Sequence, residues 1–159
     1  MHISIYCVGK LKKGFLSNGV KEYINRLNNY CNLSIYEVKE EKAPENLSEA
    51  EKDMVKKAEG KNLLKCIKED MYVIALEITG KQLSSEKLAK KLEVLGIQGK
   101  SNIAFIIGGS LGLSEEILKR SDFILSFSQM TFPHQLMRII LMEQIYRSFK
   151  IIKNEPYHK

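Results

Sequence analysis

Thr131-Phe132-Pro133-His134-Gln135-Leu136-Met137-Arg138-Ile139-Ile140-Leu141-Met142-Glu143-Gln144-Ile145-Tyr146-Arg147 is the stretch that decides the fold. Proline has no N–H and a fixed φ, so Pro133 suits the first turn of a helix but not its interior. The apolar run Phe123 to Phe127 comes before it, joined by Ser128-Gln129-Met130. A strand therefore ends near Phe127, and a long helix starts just after Thr131. Leu136, Met137, Ile139, Ile140, Leu141 and Met142 cover nearly every side of that helix, with only Arg138 between them. A helix that is apolar all round is buried all round. In a chain of 159 residues, that burial points to a second subunit.

Upstream, strand and helix patterns alternate. Ile3 to Val8 has strand length, and Val20, Tyr23, Ile24 and Leu27 recur at helical spacing from about Leu16 to Tyr30. Leu33 to Val38 alternates as a strand. Ser48 and Glu51 form the capping box of a charged helix, with Ala50, Met54, Ala58 and Leu64 expected on its inward face. Tyr72 to Ile78 is a third strand, and Thr79-Gly80-Lys81-Gln82 reads as a turn. Ser84 or Ser85 caps a helix that carries Leu88, Leu92 and Leu95 on one face. Ile103 to Ile107 is apolar throughout, as a central parallel strand should be. Ser114 caps a short helix, with Glu115 and Glu116 in its first turn. Strands alternating with helices from end to end predict an α/β fold: one domain, residues 1–159, with a parallel sheet and helices on both faces.

Length and composition fit a globular chain that buries roughly 70% of its unfolded surface. No apolar run approaches the ~20 residues a membrane span needs, and the N-terminus lacks a signal-peptide layout. Cys7, Cys31 and Cys66 read as reduced core thiols of a cytoplasmic protein. With no Cys-x-x-Cys and no ligand spacing among His2, His134 and His158, no metal site is expected. The net charge is +6, and from Lys119 to Lys159 seven Lys/Arg face three acids. Such a balance suits a polyanion such as RNA, or a solvated surface. Lys10, Lys12 and Lys13 form a basic loop with the same two readings. Gly9 and Gly14 have phosphate-loop spacing, but Phe15 stands where that loop needs lysine.

Ligands of open parallel sheets bind beyond the carboxyl ends of the strands. The loops after Leu76-Glu77-Ile78, Ile106-Ile107 and Leu125-Ser126-Phe127 are the candidates. Gly108 and Gly109 allow close backbone approach, and Ser128 to Phe132 offers backbone groups beside Leu76, Met130 and Phe132 for an adenine ring. Pattern alone leaves open a nucleotide-binding α/β enzyme, such as a dehydrogenase, or a ribosome-associated binding module without catalysis.

Several stretches together resemble the ribosomal RNA large subunit methyltransferase H family. They are Leu76-Glu77-Ile78-Thr79-Gly80-Lys81, Phe105 to Gly112, Leu125 to His134, Arg138, Glu143 to Arg147 and Pro156-Tyr157-His158, with Val8-Gly9-Lys10 near the start. The resemblance implies a SPOUT-class fold with a C-terminal trefoil knot, a homodimer and an S-adenosyl-L-methionine cofactor. It implies methyl transfer to N3 of a pseudouridine in 23S rRNA on the assembled ribosome. It places cofactor contacts at Leu76, Gly108, Phe127, Ser128, Gln129, Met130, Thr131 and Phe132, and catalytic roles at Arg147, Tyr157 and His158. Arg147 would stabilise anionic base oxygens or hold a phosphate, unless it only pairs with Glu143 one turn earlier. Tyr157 would stack on the base or hydrogen-bond to it, and His158 would take a proton or orient a phosphate. Arg138 reads as making a structural or dimer-interface hydrogen bond, and His134 as structural. In SPOUT dimers the second subunit often completes a site, so the tail of one chain is expected at the cofactor of the other.

Overall fold

The computed structural model describes residues 1–12 and 14–158; Lys13 and Lys159, counted above among the basic residues, lie outside them. Strands β1 (His2–Val8), β2 (Asn32–Val38), β3 (Tyr72–Gln82), β4 (Asn102–Ile107) and β5 (Phe123–Ser126) form one parallel sheet in the order β2-β1-β4-β3-β5. Between and after them run α1 (Phe15–Leu27), α2 (Glu49–Leu64), α3 (Ser85–Ile97), α4 (Glu115–Arg120) and α5 (His134–Ile152).

Side chains alternate across a strand, so each central strand feeds two cores. Ile3, Ile5 and Cys7 of β1, with Ile103, Phe105 and Ile107 of β4, pack beneath α1, α3 and α5. Tyr6 and Val8 of β1, with Ala104 and Ile106 of β4, pack on the opposite face against Leu63 of α2 and Ile117 of α4. Both faces of β4 are therefore apolar, as its continuous run requires. Leu141, Met142 and Ile145 of α5 are fully buried, each worth roughly 1.5–3 kcal/mol over exposure. The capping serines act as their spacing predicts: Ser48, Ser84 and Ser114 accept from the backbone N–H groups of Glu51, Lys87 and Ile117. Glu51 completes the box by accepting from the Ser48 N–H at 2.8 Å.

Several expectations need correction. Thr79 to Gln82 is not a turn: β3 runs through it, with a register shift after which Lys81 pairs with Leu125. A Cβ on Gly80 would lie 2.8 Å from backbone atoms of Ile124 and Leu125, so only glycine lets β5 lie this close. In α2 the expected inward residues Ala50, Met54 and Ala58 are exposed, and Leu64 is only partly buried. The buried residues are Glu59, Gly60 and Leu63. Glycine at position 60 lets the helix settle on Ser114, whose Oγ would lie 2.2 Å from an added Cβ. Helix α1 stops at Leu27, short of Tyr30, and Pro133 caps α5 one residue ahead of its first turn.

Cys66 is also displaced from expectation. It lies in the turn after α2 and is exposed, whereas Cys7 and Cys31 are buried free thiols. Burial pushes Cys7 up to about 12 and Cys31 up to about 11. The reactive thiolate is therefore scarce at both near neutral pH. Iodoacetamide at pH 8 should alkylate Cys66 rapidly in the native protein and all three cysteines only in denaturant. Mass spectrometry of the labelled peptides checks this.

Candidate functional site

The carboxyl ends of β3, β4 and β5 open into a cavity of about 840 Å³, within the size range of small-molecule sites. Its wall is made of the three predicted loops. Leu76, Gly108, Phe127, Ser128, Met130, Thr131 and Phe132 line it, as the sequence predicts, but Gln129 is exposed and is not part of the lining. The β4 loop doubles back tightly. Gly112 donates to the Gly109 carbonyl at 3.1 Å and takes a φ of 87° that favours glycine. A Cβ on Gly108 would lie 2.8 Å from backbone atoms of Gly112. The β5 loop is tied by side chains: Ser126 Oγ donates to the Ser128 carbonyl at 3.0 Å, and Ser128 Oγ accepts from the Met130 N–H at 3.0 Å.

The sequence reading missed other members of this wall. Glu77 brings a carboxylate to the cavity, and its Oε1 also accepts from the Ile78 N–H at 2.9 Å. An acid inside the apolar run of β3 was the available signal. Lys56 of α2 lines the cavity too, with nothing in its charged helix to mark it. His134 lines the cavity, and its Nε2 is buried without a hydrogen-bond partner among the described residues. Behind the loop, the buried Glu59 carboxylate accepts from the Glu41 N–H at 3.0 Å and would lie 3.0 Å from a Cβ on Gly109. Its desolvation raises its pKa above the usual carboxylate range. The cavity thus combines close backbone and apolar walls with one acid, Glu77, and one lysine, Lys56, an arrangement that suits a small nucleoside-like ligand carrying both charged and apolar parts.

Arg147, Tyr157 and His158 come together, but elsewhere. Arg147 donates from Nε and an Nη to Glu143 Oε1 at 2.9 and 2.6 Å, and Tyr157 donates to Glu143 Oε2 at 2.9 Å. The guanidinium lies 4.6 Å from the Tyr157 ring centroid and 3.3 Å from His158 Nδ1. His158 Nε2 reaches Glu86 Oε1 on α3 at 2.7 Å. The Ser84 hydroxyl, then the Glu86 backbone N–H and His158, pull the Glu86 carboxyl down to about 2, so it stays ionised at physiological pH. Burial, then the Glu143 carboxylate, raises the Tyr157 phenol. Tyr157 therefore keeps its proton near neutrality and serves as a donor, not a base.

None of these three residues lines the cavity. Met137 of α5 does, and Arg147 is ten residues further on, roughly 15 Å along a helix. Leu136, Ile140 and Ile151 are only half-buried and stand outside the core cluster. At helical spacing they share one stripe with Glu143 and Arg147. Arg138 lies in the interior, where it pairs with Glu37 and donates to the Gly9 carbonyl at 2.6 Å. Of the two expected roles, these contacts within one chain fit the structural one.

The family described as "Predicted SPOUT methyltransferase" matches residues 1–158. The chain is 64% identical to the ribosomal RNA large subunit methyltransferase H of Alkaliphilus oremlandii, with all of both chains covered. It is 57% identical to the protein of that name from Clostridium kluyveri, again over both full lengths. Among solved structures, a Legionella pneumophila methyltransferase with bound cofactor SAM aligns with 94% of this chain and 66% of its own, at TM-score 0.45 and 13% identity.

Proposed function

Because the chain belongs to the SPOUT methyltransferase family, and within it to the ribosomal RNA large subunit methyltransferase H proteins, we propose that residues 1–159 act as one cytoplasmic domain that methylates N3 of a pseudouridine in 23S rRNA on the assembled ribosome. The observation that carries this reading is the cavity, built by the loops whose residues bear the resemblance. Bound there, S-adenosyl-L-methionine supplies a methyl group on a positively charged sulfur. Leu76, Met130 and Phe132 would hold the adenine, backbone of the Gly108 and Phe127–Phe132 loops its edge, and Glu77 would favour the positive end of the ligand.

The chain's own residues must then prepare the acceptor. A ring N3–H is a weak acid, and its proton has to leave as the N–C bond forms and the C–S bond breaks. Arg147 stabilises the negative charge on the flanking base oxygens. Tyr157 stacks on the flipped base or donates to it. His158 accepts the N3 proton or orients a phosphate.

The acceptor cluster and the cavity do not meet within one chain. A homodimer closed over the Leu136, Ile140 and Ile151 stripe would bury Arg147 at the interface and bring it to the partner's cavity. Isologous pairing of one patch with itself is the commonest form of closed symmetry. Tritiated S-adenosyl-L-methionine and ribosomes from cells lacking this protein test the reaction. Mass mapping should find one methyl at N3 of a single 23S pseudouridine; no label, or label on another atom, contradicts the proposal.

Gly108 gives a sharper test of the cavity. Alanine there collides with backbone that cannot rotate away, so Gly108→Ala should cost about 1–3 kcal/mol of stability. Below the unfolding temperature the variant should show no calorimetric heat with S-adenosyl-L-methionine at concentrations that saturate the wild type.

A further inference from the structure

A second groove, of about 590 Å³, lies between α3 and the ends of β3 and β5, away from the cofactor cavity. Lys81, Lys87, Lys90, Lys91 and Lys100 line it, and no acid is among its lining residues. The whole chain has a net charge of only +6, so this is a concentrated field. Tyr72 and Phe123 form an aromatic floor. Lys91 Nζ sits 3.9 Å from the Phe123 centroid, and Lys100 Nζ 5.3 Å from that of Tyr72. Burial, then the neighbouring Lys100 charge, lowers the Lys91 pKa. Nearby acids do little to offset them. Glu93 pairs with Lys90 in an exposed contact, and Asp122 faces Arg120 at 3.6 Å.

The groove also has a direction. Lys87 follows Glu86, the residue that His158 reaches, and Lys90 stands one helical turn above Glu86. The lysines therefore begin where the acceptor cluster ends. Resting on the rRNA reading above, we infer that this groove is a separate RNA site, holding the phosphodiester backbone of the strand that leads away from the acceptor base. Lysines supply the phosphate contacts, and the aromatic floor carries a base or sugar face. The competing explanation is that the lysines only keep the edge strand β5 from pairing with other chains.

The Lys87→Glu/Lys100→Glu double variant separates these. Both side chains are exposed and neither forms an ion pair among the described residues. With ribosomes as substrate, KM should rise at least tenfold while kcat and cofactor affinity stay within twofold of wild type. The slope of log affinity against log salt, for ribosomes and for a naked 23S fragment, should become shallower by roughly 1.5. Unchanged KM and slope overturn the inference. Weaker ribosome binding with unchanged affinity for naked RNA also overturns it, in favour of an acidic protein surface. Wild-type protein that transfers no methyl to ribosomes would remove the underlying reading instead, and the inference with it.

Discussion

Arg147→Ala should lower kcat for methyl transfer to ribosomes by about a hundred- to a thousandfold, the usual cost of one donor aimed at developing charge. Cofactor affinity should stay within a few-fold, because the proposed role of Arg147 is at the acceptor base and not against the cofactor. The alternative role, pairing with Glu143, is visible in the structure at 2.6 Å. A pair one helical turn apart and partly exposed contributes only about 0.3–1 kcal/mol to the fold. If that pairing were all Arg147 does, the variant would melt slightly earlier and turn over normally. Arg147→Lys sharpens the distinction. Lysine can still meet Glu143, but it lacks the planar fork that grips two oxygens. It should restore the melting temperature and leave most of the rate deficit. Full activity in either variant would remove Arg147 from the reaction.

Arg138→Ala should be the most destabilising of these substitutions, at about 3–5 kcal/mol by urea titration. Arg138 is 2% exposed, and its guanidinium joins Glu37 of β2 to the Val8 and Gly9 carbonyls at the end of β1. Truncation takes the guanidinium from the Val8 and Gly9 carbonyls, and leaves the partly exposed Glu37 carboxylate with the Leu11 N–H at 2.7 Å as its remaining donor. Arg138 Nε has no partner among the described residues, so the network is not fully satisfied even when intact. That predicts a specific rescue. The double variant Arg138→Met/Glu37→Leu removes both charges and keeps most of the volume, so it should recover more than half of the loss. A loss below about 1 kcal/mol in Arg138→Ala would mean that the network does not hold the β1 end in place.

The fold was legible where local chemistry and burial agree. Apolar β4, the serine caps and Pro133 each have one cheap structural answer, and the structure gives it to within a residue or two. The reading failed where tertiary contact overrides pattern. Thr79 to Gln82 has turn composition but is held extended by β5, a strand over forty residues later. Helix α2 turns Glu59 and Gly60 inward, because a close approach to Ser114 and a backbone donor from Glu41 outweigh hydrophobicity. The cavity followed from placing loops at strand ends. Its charged members did not, since Lys56 belongs to a helix far away in the chain. Tyr157 and His158 look like a fraying terminus in isolation. They are ordered by partners, Glu143 and Glu86, that no local pattern reveals.

The central claim is that the acceptor cluster of one chain serves the cofactor cavity of another. Differently tagged Arg147→Ala and Gly108→Ala chains can be mixed, and the doubly tagged dimer isolated and assayed on ribosomes. One of its two sites would combine an intact cavity with an intact tail, so about half of wild-type activity is expected from a two-fold dimer, well above either parent. A mixed dimer no more active than its parents would show that each chain works with its own tail, contradicting the shared site.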